Sequence, residues 1–216
     1  MCFSAPVSFS TSATLAVIGI MTLRKTAYNK EIPLGLLPLL FAIQQFIEGI
    51  LWLTLPQGEQ YWLTQTYAFF VGIVWPILVP LAIFIIEPIS IRKRLILPVI
   101  ITGIMVGIYT LTIIINIGVS ATIKESCLIY QYDGDDKSYI LIAYVIATCA
   151  AFFISSQRRL NFIGALNISG FIAAYYFYRL SYASVWCFFA AVVSGLIYLY
   201  FRKNIENPLA KAQVCA

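Results

Sequence analysis

The chain contains no histidine, and it is poor in charge: of 216 residues, only 11% are Asp, Glu, Lys or Arg. The missing imidazole excludes His-ligated zinc or haem, a Ser-His-Asp triad and any histidine proton relay. The five cysteines are scattered, with no CxxC spacing, so neither a thiolate metal centre nor a thioredoxin-like motif is expected. No metal and no cofactor are therefore expected. An ordinary soluble domain is about one quarter charged, and this chain holds too few charges to coat a surface facing water. What it has instead is 61% hydrophobic residues and a mean hydropathy of +0.89. The expected class is an all-α integral membrane protein. The net charge of +5 lies in short Lys/Arg clusters between apolar runs, which is the pattern of topology signals; a nucleic-acid partner is not expected.

The apolar runs divide the chain into seven expected spans, at about 7–23, 33–55, 61–86, 95–118, 138–154, 160–178 and 182–201, with a short polar tail at 202–216. The opening MCFSAPVSFS has no basic leader and is not expected to be a signal peptide. Alternating the ends of the spans places eleven Lys and Arg on one side, from Arg24, Lys25 and Lys30 to the tail. Only Lys124, Lys137 and Arg179 fall on the other. The positive-inside rule then predicts a seven-transmembrane-helix bundle in the inner (plasma) membrane, N-terminus outside and C-terminus cytoplasmic.

Within this frame several local features stand out. Pro6 suits the first turn of a helix, and the hydroxyls that follow it (Ser8, Ser10, Thr11, Ser12, Thr14) are expected to cap and pack. Pro76 and Pro80 interrupt the third span, freeing backbone carbonyls that need new partners. Gly103-x-x-x-Gly107 allows close helix approach within the chain and also offers a face for a homo-oligomer. The loop 119–137 contains DGDD, without the spacing of a calcium loop, and reads as a solvated acidic turn. Asn167-Ile168-Ser169 matches a glycosylation sequon but falls inside a span.

The second span, PLGLLPLLFAIQQFIEGILWLTL, is where polar chemistry enters. A carboxylate at membrane depth costs about 2.5–3.5 kcal/mol on insertion scales, so it is seldom there without a partner or a use. At helical spacing Phe41, Gln44, Gln45, Glu48 and Trp52 share one face, which should point at other helices. Glu48 is expected about 10 Å beneath the outer surface. The same layer receives Tyr175 and Arg179 from the sixth span, and Tyr67, Tyr182 and Trp186. Most of these tyrosines suit an aromatic belt. Glu48 is too deep for that, and the expectation is an outward-opening polar pocket with Glu48, Gln44 and Gln45 at its floor and Arg179 near its mouth. Cys2 and Cys127 both fall outside. They suit a disulfide, an N-terminal thiol folding into the pocket, or plain small-residue packing.

The opening MCFSAPVSF, the segment Gly19 to Arg24 and PLLFAIQQFIEGILW (Pro38 to Trp52) resemble an uncharacterised family of prokaryotic membrane proteins. Its members begin Met-Cys-Phe-Ser-Ala and carry a Gln/His-Gln-x-x-Glu-Gly pattern in the second helix. The resemblance covers about the first quarter of the chain. It implies special roles for Cys2, Ser4, Gln45, Glu48, Gly49 and Trp52, but no mechanism. Relatives with His at Gln44 or Gln45 carry a ligand type that this chain lacks.

Three functions fit these residues. The first is binding or transport of a small solute or ion, with Glu48 as the protonatable or cation-binding group and Gln44, Gln45, Trp52, Tyr175, Arg179 and Ser4 around it. The second is a membrane sensor, which would need a partner because the tail offers no output domain. The third is a thiol enzyme with Cys2 as nucleophile and Glu48 as base. A retinal protein is excluded because the last span has no lysine. The sixth span lacks a counterpart of QQFIEG, so no internal repeat is evident.

Overall fold

In the computed structural model of the chain, the residues described are 4–124, 127–132, 138–179 and 181–206. The helices are α1 (Ala5–Leu23), α2 (Ile32–Thr54), α3 (Tyr61–Ile86), α4 (Ser90–Asn116), α5 (Ser138–Ile154), α6 (Arg158–Phe177), α7 (Tyr182–Ser194) and α8 (Leu196–Glu206). Among the described residues, six helical stretches are long and apolar enough to cross a membrane, α7 and α8 counting as one, and α5 is a shorter apolar helix. The apolar helices thus number six to seven, with α5 deciding the count.

Three differences from expectation have physical causes. The helix α4 begins at Ser90, directly after Glu87-Pro88, so Arg92, Lys93 and Arg94 lie on a helix and not in a loop. The last span breaks at Gly195, and α8 then continues into the beginning of the expected polar tail. The fold is also not all-α. The stretch read as a loop contains an antiparallel hairpin, β1 (Val119–Lys124) and β2 (Cys127–Tyr132), paired from Val119 with Tyr132 to Lys124 with Cys127. Alternation in VSATIK and the aromatic and β-branched content of CLIYQY carry this strand signal.

The hydroxyls of α1 do not cap it. Ser10 donates to Val7 O, Thr14 to Ser10 O and Thr22 to Ile18 O, each closing on the preceding turn. Ser12 instead donates across the interface to Ala42 O at 2.7 Å, joining α1 to α2. Two glycines let these helices approach. A Cβ on Gly19 would lie 2.8 Å from the backbone nitrogen of Leu39, and one on Gly49 would lie 2.7 Å from the ring of Phe9. Gly49, the glycine of the QQFIEG stretch, is thereby explained by packing.

Proline shapes α3. Pro76 has no N–H for the carbonyl of Gly72, and the helix passes through a π-helical turn, Phe70–Val74, in which Trp75 N–H reaches Phe70 O. The added residue turns Trp75 toward α2, where it stacks on Phe41. Pro80 likewise leaves the carbonyl of Pro76 without its helical donor, and that carbonyl presses on Gly103 of α4. Gly107 faces Ile77 on the same side. The Gly103/Gly107 face is thus occupied by α3. The opposite face of α4, with Ile101, Met105, Ile108 and Ile115 each more than half exposed, is the one left for lipid or another chain.

Candidate functional site

Glu48 is six residues from the end of α2, about 9 Å along the axis. It is 1% exposed, as is Gln45, and Gln44 is fully buried. The i,i+3 spacing lets Gln45 Nε2 donate to Glu48 Oε2 at 2.9 Å. The other carboxylate oxygen accepts from Ser184 Oγ on α7. No lysine or arginine pairs with Glu48 among the described residues; the carboxyl is held by neutral donors alone. Gln44 accepts from the indole of Trp75. The π-helical turn and the QQFIEG face therefore meet in one contact.

Around this group lie buried polar atoms without a hydrogen-bond partner among the described residues: Gln44 Nε2, Tyr67 Oη, Tyr130 Oη and Ser8 Oγ. Tyr67 stacks on Tyr130 with ring centroids 4.3 Å apart, and both pack with Leu51, Val71 and Cys187. An unpaired buried polar group costs about 1–3 kcal/mol, and Gln44, Tyr67 and Tyr130 lie within reach of one another, so they form a polar cluster beside the carboxyl. Tyr130 is on β2, beyond the helices. Burial pushes its phenol well above the ordinary tyrosine value, with Glu48 adding to the effect, so it remains a protonated donor.

The hairpin owes its position to Gln65 on α3. Gln65 Nε2 donates to Val119 O at 2.8 Å, while Val119 N donates to Gln65 Oε1 at 3.0 Å, so one side-chain amide pairs as a strand would. Gly118, at φ +86, makes the turn that delivers Val119 there. Tyr130 is then laid over Tyr67.

Beside the hairpin is a cavity of about 590 Å³ among β2, α4, α5, α6 and α7. Tyr130, Tyr144, Tyr175, Arg179, Tyr182 and Cys187 are in its wall. Tyr175 and Arg179 line this cavity, and Glu48, Gln44 and Gln45 are not among its described lining residues. Glu48 is instead close to Tyr130, which the hairpin contributes to the cavity wall. Ser4 is exposed at the start of α1, and Trp52 is half-buried with its indole N–H unpartnered, so neither joins the Glu48 hydrogen bonds. Cys2 lies outside the described residues. Cys127 is disulfide-bonded to a partner also outside them, whereas Cys149 and Cys187 are free and buried.

A second polar centre, which the sequence reading passed over, lies at the other end of the bundle. Glu87 Oε2 accepts from Ser155 Oγ and Ser156 N, both at 2.9 Å. Arg92 donates to the carbonyls of Ile154 and Ser155, and Asn161 Nδ2 to those of Phe152 and Ser155. These contacts satisfy the last carbonyls of α5, and the Glu-Pro pair between two spans was their only sequence signal.

Several helices long and apolar enough to span a membrane, closed around buried polar groups, make this a protein of the helical membrane class. The chain belongs to a family of unknown function, DUF6629, whose sequence pattern matches residues 1–212. No curated protein and no solved structure matches it.

Proposed function

We propose that the protein is a multi-pass inner-membrane protein that binds, and in its working cycle transports, a small solute through the outer cavity. The observation that carries this reading is the 590 Å³ cavity, whose wall shares Tyr130 and Cys187 with the surroundings of Glu48. Ligand sites are commonly concave, mostly apolar and furnished with a few convergent polar groups. Here Arg179 is such a group, and Tyr130, in the same wall, is close to Glu48. A solute reaching Tyr130 is thereby linked to an intramembrane carboxylate, the kind of group that marks transport pathways.

The charge asymmetry supports an outside N-terminus, and the Cys127 disulfide supports placing the hairpin in an oxidising compartment. The test is native mass spectrometry of the wild type beside Ala183→Trp, which fills the cavity, and Glu48→Gln. An extra mass lost in Ala183→Trp and weakened in Glu48→Gln supports the reading. A mass that survives both substitutions places the ligand elsewhere and sinks it.

A further inference from the structure

A second, smaller chamber of about 50 Å³ lies deeper in the bundle. Its wall shares Tyr144, Trp186 and Cys187 with the outer cavity, so the two are neighbours across these side chains. The aromatic rings continue across this partition: Tyr182 meets Tyr175, Tyr175 meets Phe171, Phe171 meets Trp186, and Trp186 meets Tyr144 edge-on at 5.4 Å.

The two chambers differ in what they offer. Leu37, Phe41, Val79, Phe152, Ile163 and Ile197 line the inner one. Apart from Tyr144, which belongs to both walls, its hydrogen-bonding side chains are largely engaged. Trp75 donates to Gln44, Thr148 to Tyr144 O, Ser194 to Ala191 O, and Asn167 is taken up by Cys149 and Trp186. A chamber of this size has room for water but offers it little beyond the Tyr144 hydroxyl, fewer than the roughly two to four partners a buried water needs, and such a space stays dry or takes an apolar group. The outer cavity has an exposed guanidinium in Arg179, with no carboxylate among its described lining residues.

From this division we infer that the two chambers together bind one single-chain amphiphile with an anionic headgroup. The headgroup lies in the outer cavity near Arg179, and the chain passes the Tyr144–Trp186 partition into the inner chamber. The inference rests on the solute-binding reading of the outer cavity and names its ligand class. Passage needs the partition to open, and a rotation of Tyr144, which is only half-buried, provides that.

The probe is an equimolar mixture of saturated fatty carboxylates from six to eighteen carbons, with the matching alcohols, added to the full chain in neutral detergent. Native mass spectrometry reads which are retained. Retention of a narrow range of chain lengths is expected, because the inner chamber has a fixed depth. Ala190→Leu, which intrudes on that chamber, is expected to shift the range to shorter chains, and Arg179→Gln to lower the preference for carboxylate over alcohol about fivefold. Val193→Phe serves in place of Ala190→Leu if the latter melts early. Retention that mirrors the mixture in every variant, or equal retention of alcohols and acids by the wild type, overturns the inference. A short polar solute lost in Ala183→Trp, with no amphiphile retained, also overturns it but leaves the solute-binding reading standing. Absence of any occupant, polar or amphiphilic, removes both.

Discussion

Glu48 accepts one hydrogen bond from its own helix and one from α7, so its replacement tests both contacts together. Alanine leaves Gln45 Nε2 and Ser184 Oγ as buried donors without an acceptor, at about 1–3 kcal/mol each. Glutamine keeps an acceptor oxygen in place. Thermal unfolding in detergent should therefore rank Glu48→Ala as the most destabilised, with Ser184→Ala and Glu48→Gln nearer the wild type. Equal melting of all three would deny the carboxyl a role in joining α2 to α7. Glu87 gives a comparison at the other end, where alanine releases Ser155 Oγ and Ser156 N together. A loss of about 2–4 kcal/mol is expected, with no effect on ligand retention in the outer cavity. Of these two carboxylates, spacing singled out only Glu48. The partners of Glu87 are 68 and 69 residues away and leave no local pattern.

At the scale of elements, the hairpin and the broken helix α3 depend on single residues. Gln65→Leu removes both hydrogen bonds to Val119, and amide exchange over β1 is expected to accelerate while α4 and α5 stay protected. Unchanged protection at Val119 would show that strand pairing alone holds the hairpin. Gly103→Ala puts a methyl group against the carbonyl of Pro76, which is backbone and cannot turn aside. A loss of about 1–3 kcal/mol is expected, read as a lower melting temperature. The glycine pair was legible as a close-packing signal, but its partner was not. The proline that frees the Pro76 carbonyl is in another helix, and only the packed structure shows that the two features answer each other.

For the whole molecule, the charge count makes a topological prediction. With the N-terminus outside, a membrane-impermeant maleimide should label Glu59→Cys in intact cells, and Lys93→Cys only after permeabilisation. The opposite pattern would invert the bundle. The same orientation predicts that Cys2, and not Cys215, pairs with Cys127. Peptide mapping without reductant should then recover the segments around Cys2 and Cys127 joined. Recovery of Cys127 with Cys215 would contradict either the pairing or the topology.

Composition and hydropathy by themselves determined the helical membrane class, because repeated apolar runs of bilayer length and so few charges admit little else. Period alone also placed Gln44, Gln45 and Glu48 on one buried face, since neighbours three and four apart meet on any helix. The tertiary structure decided where that face looks. A hairpin held by Gln65 sets Tyr130 over Tyr67 and into the wall of the outer cavity with Tyr175 and Arg179, a wall whose described residues do not include Glu48. The physical reason is the range of the contacts. Those within a helix repeat every turn and are written in the spacing of residues, whereas Gln65 with Val119, Glu48 with Ser184 and Glu87 with Ser155 join segments 54 to 136 residues apart.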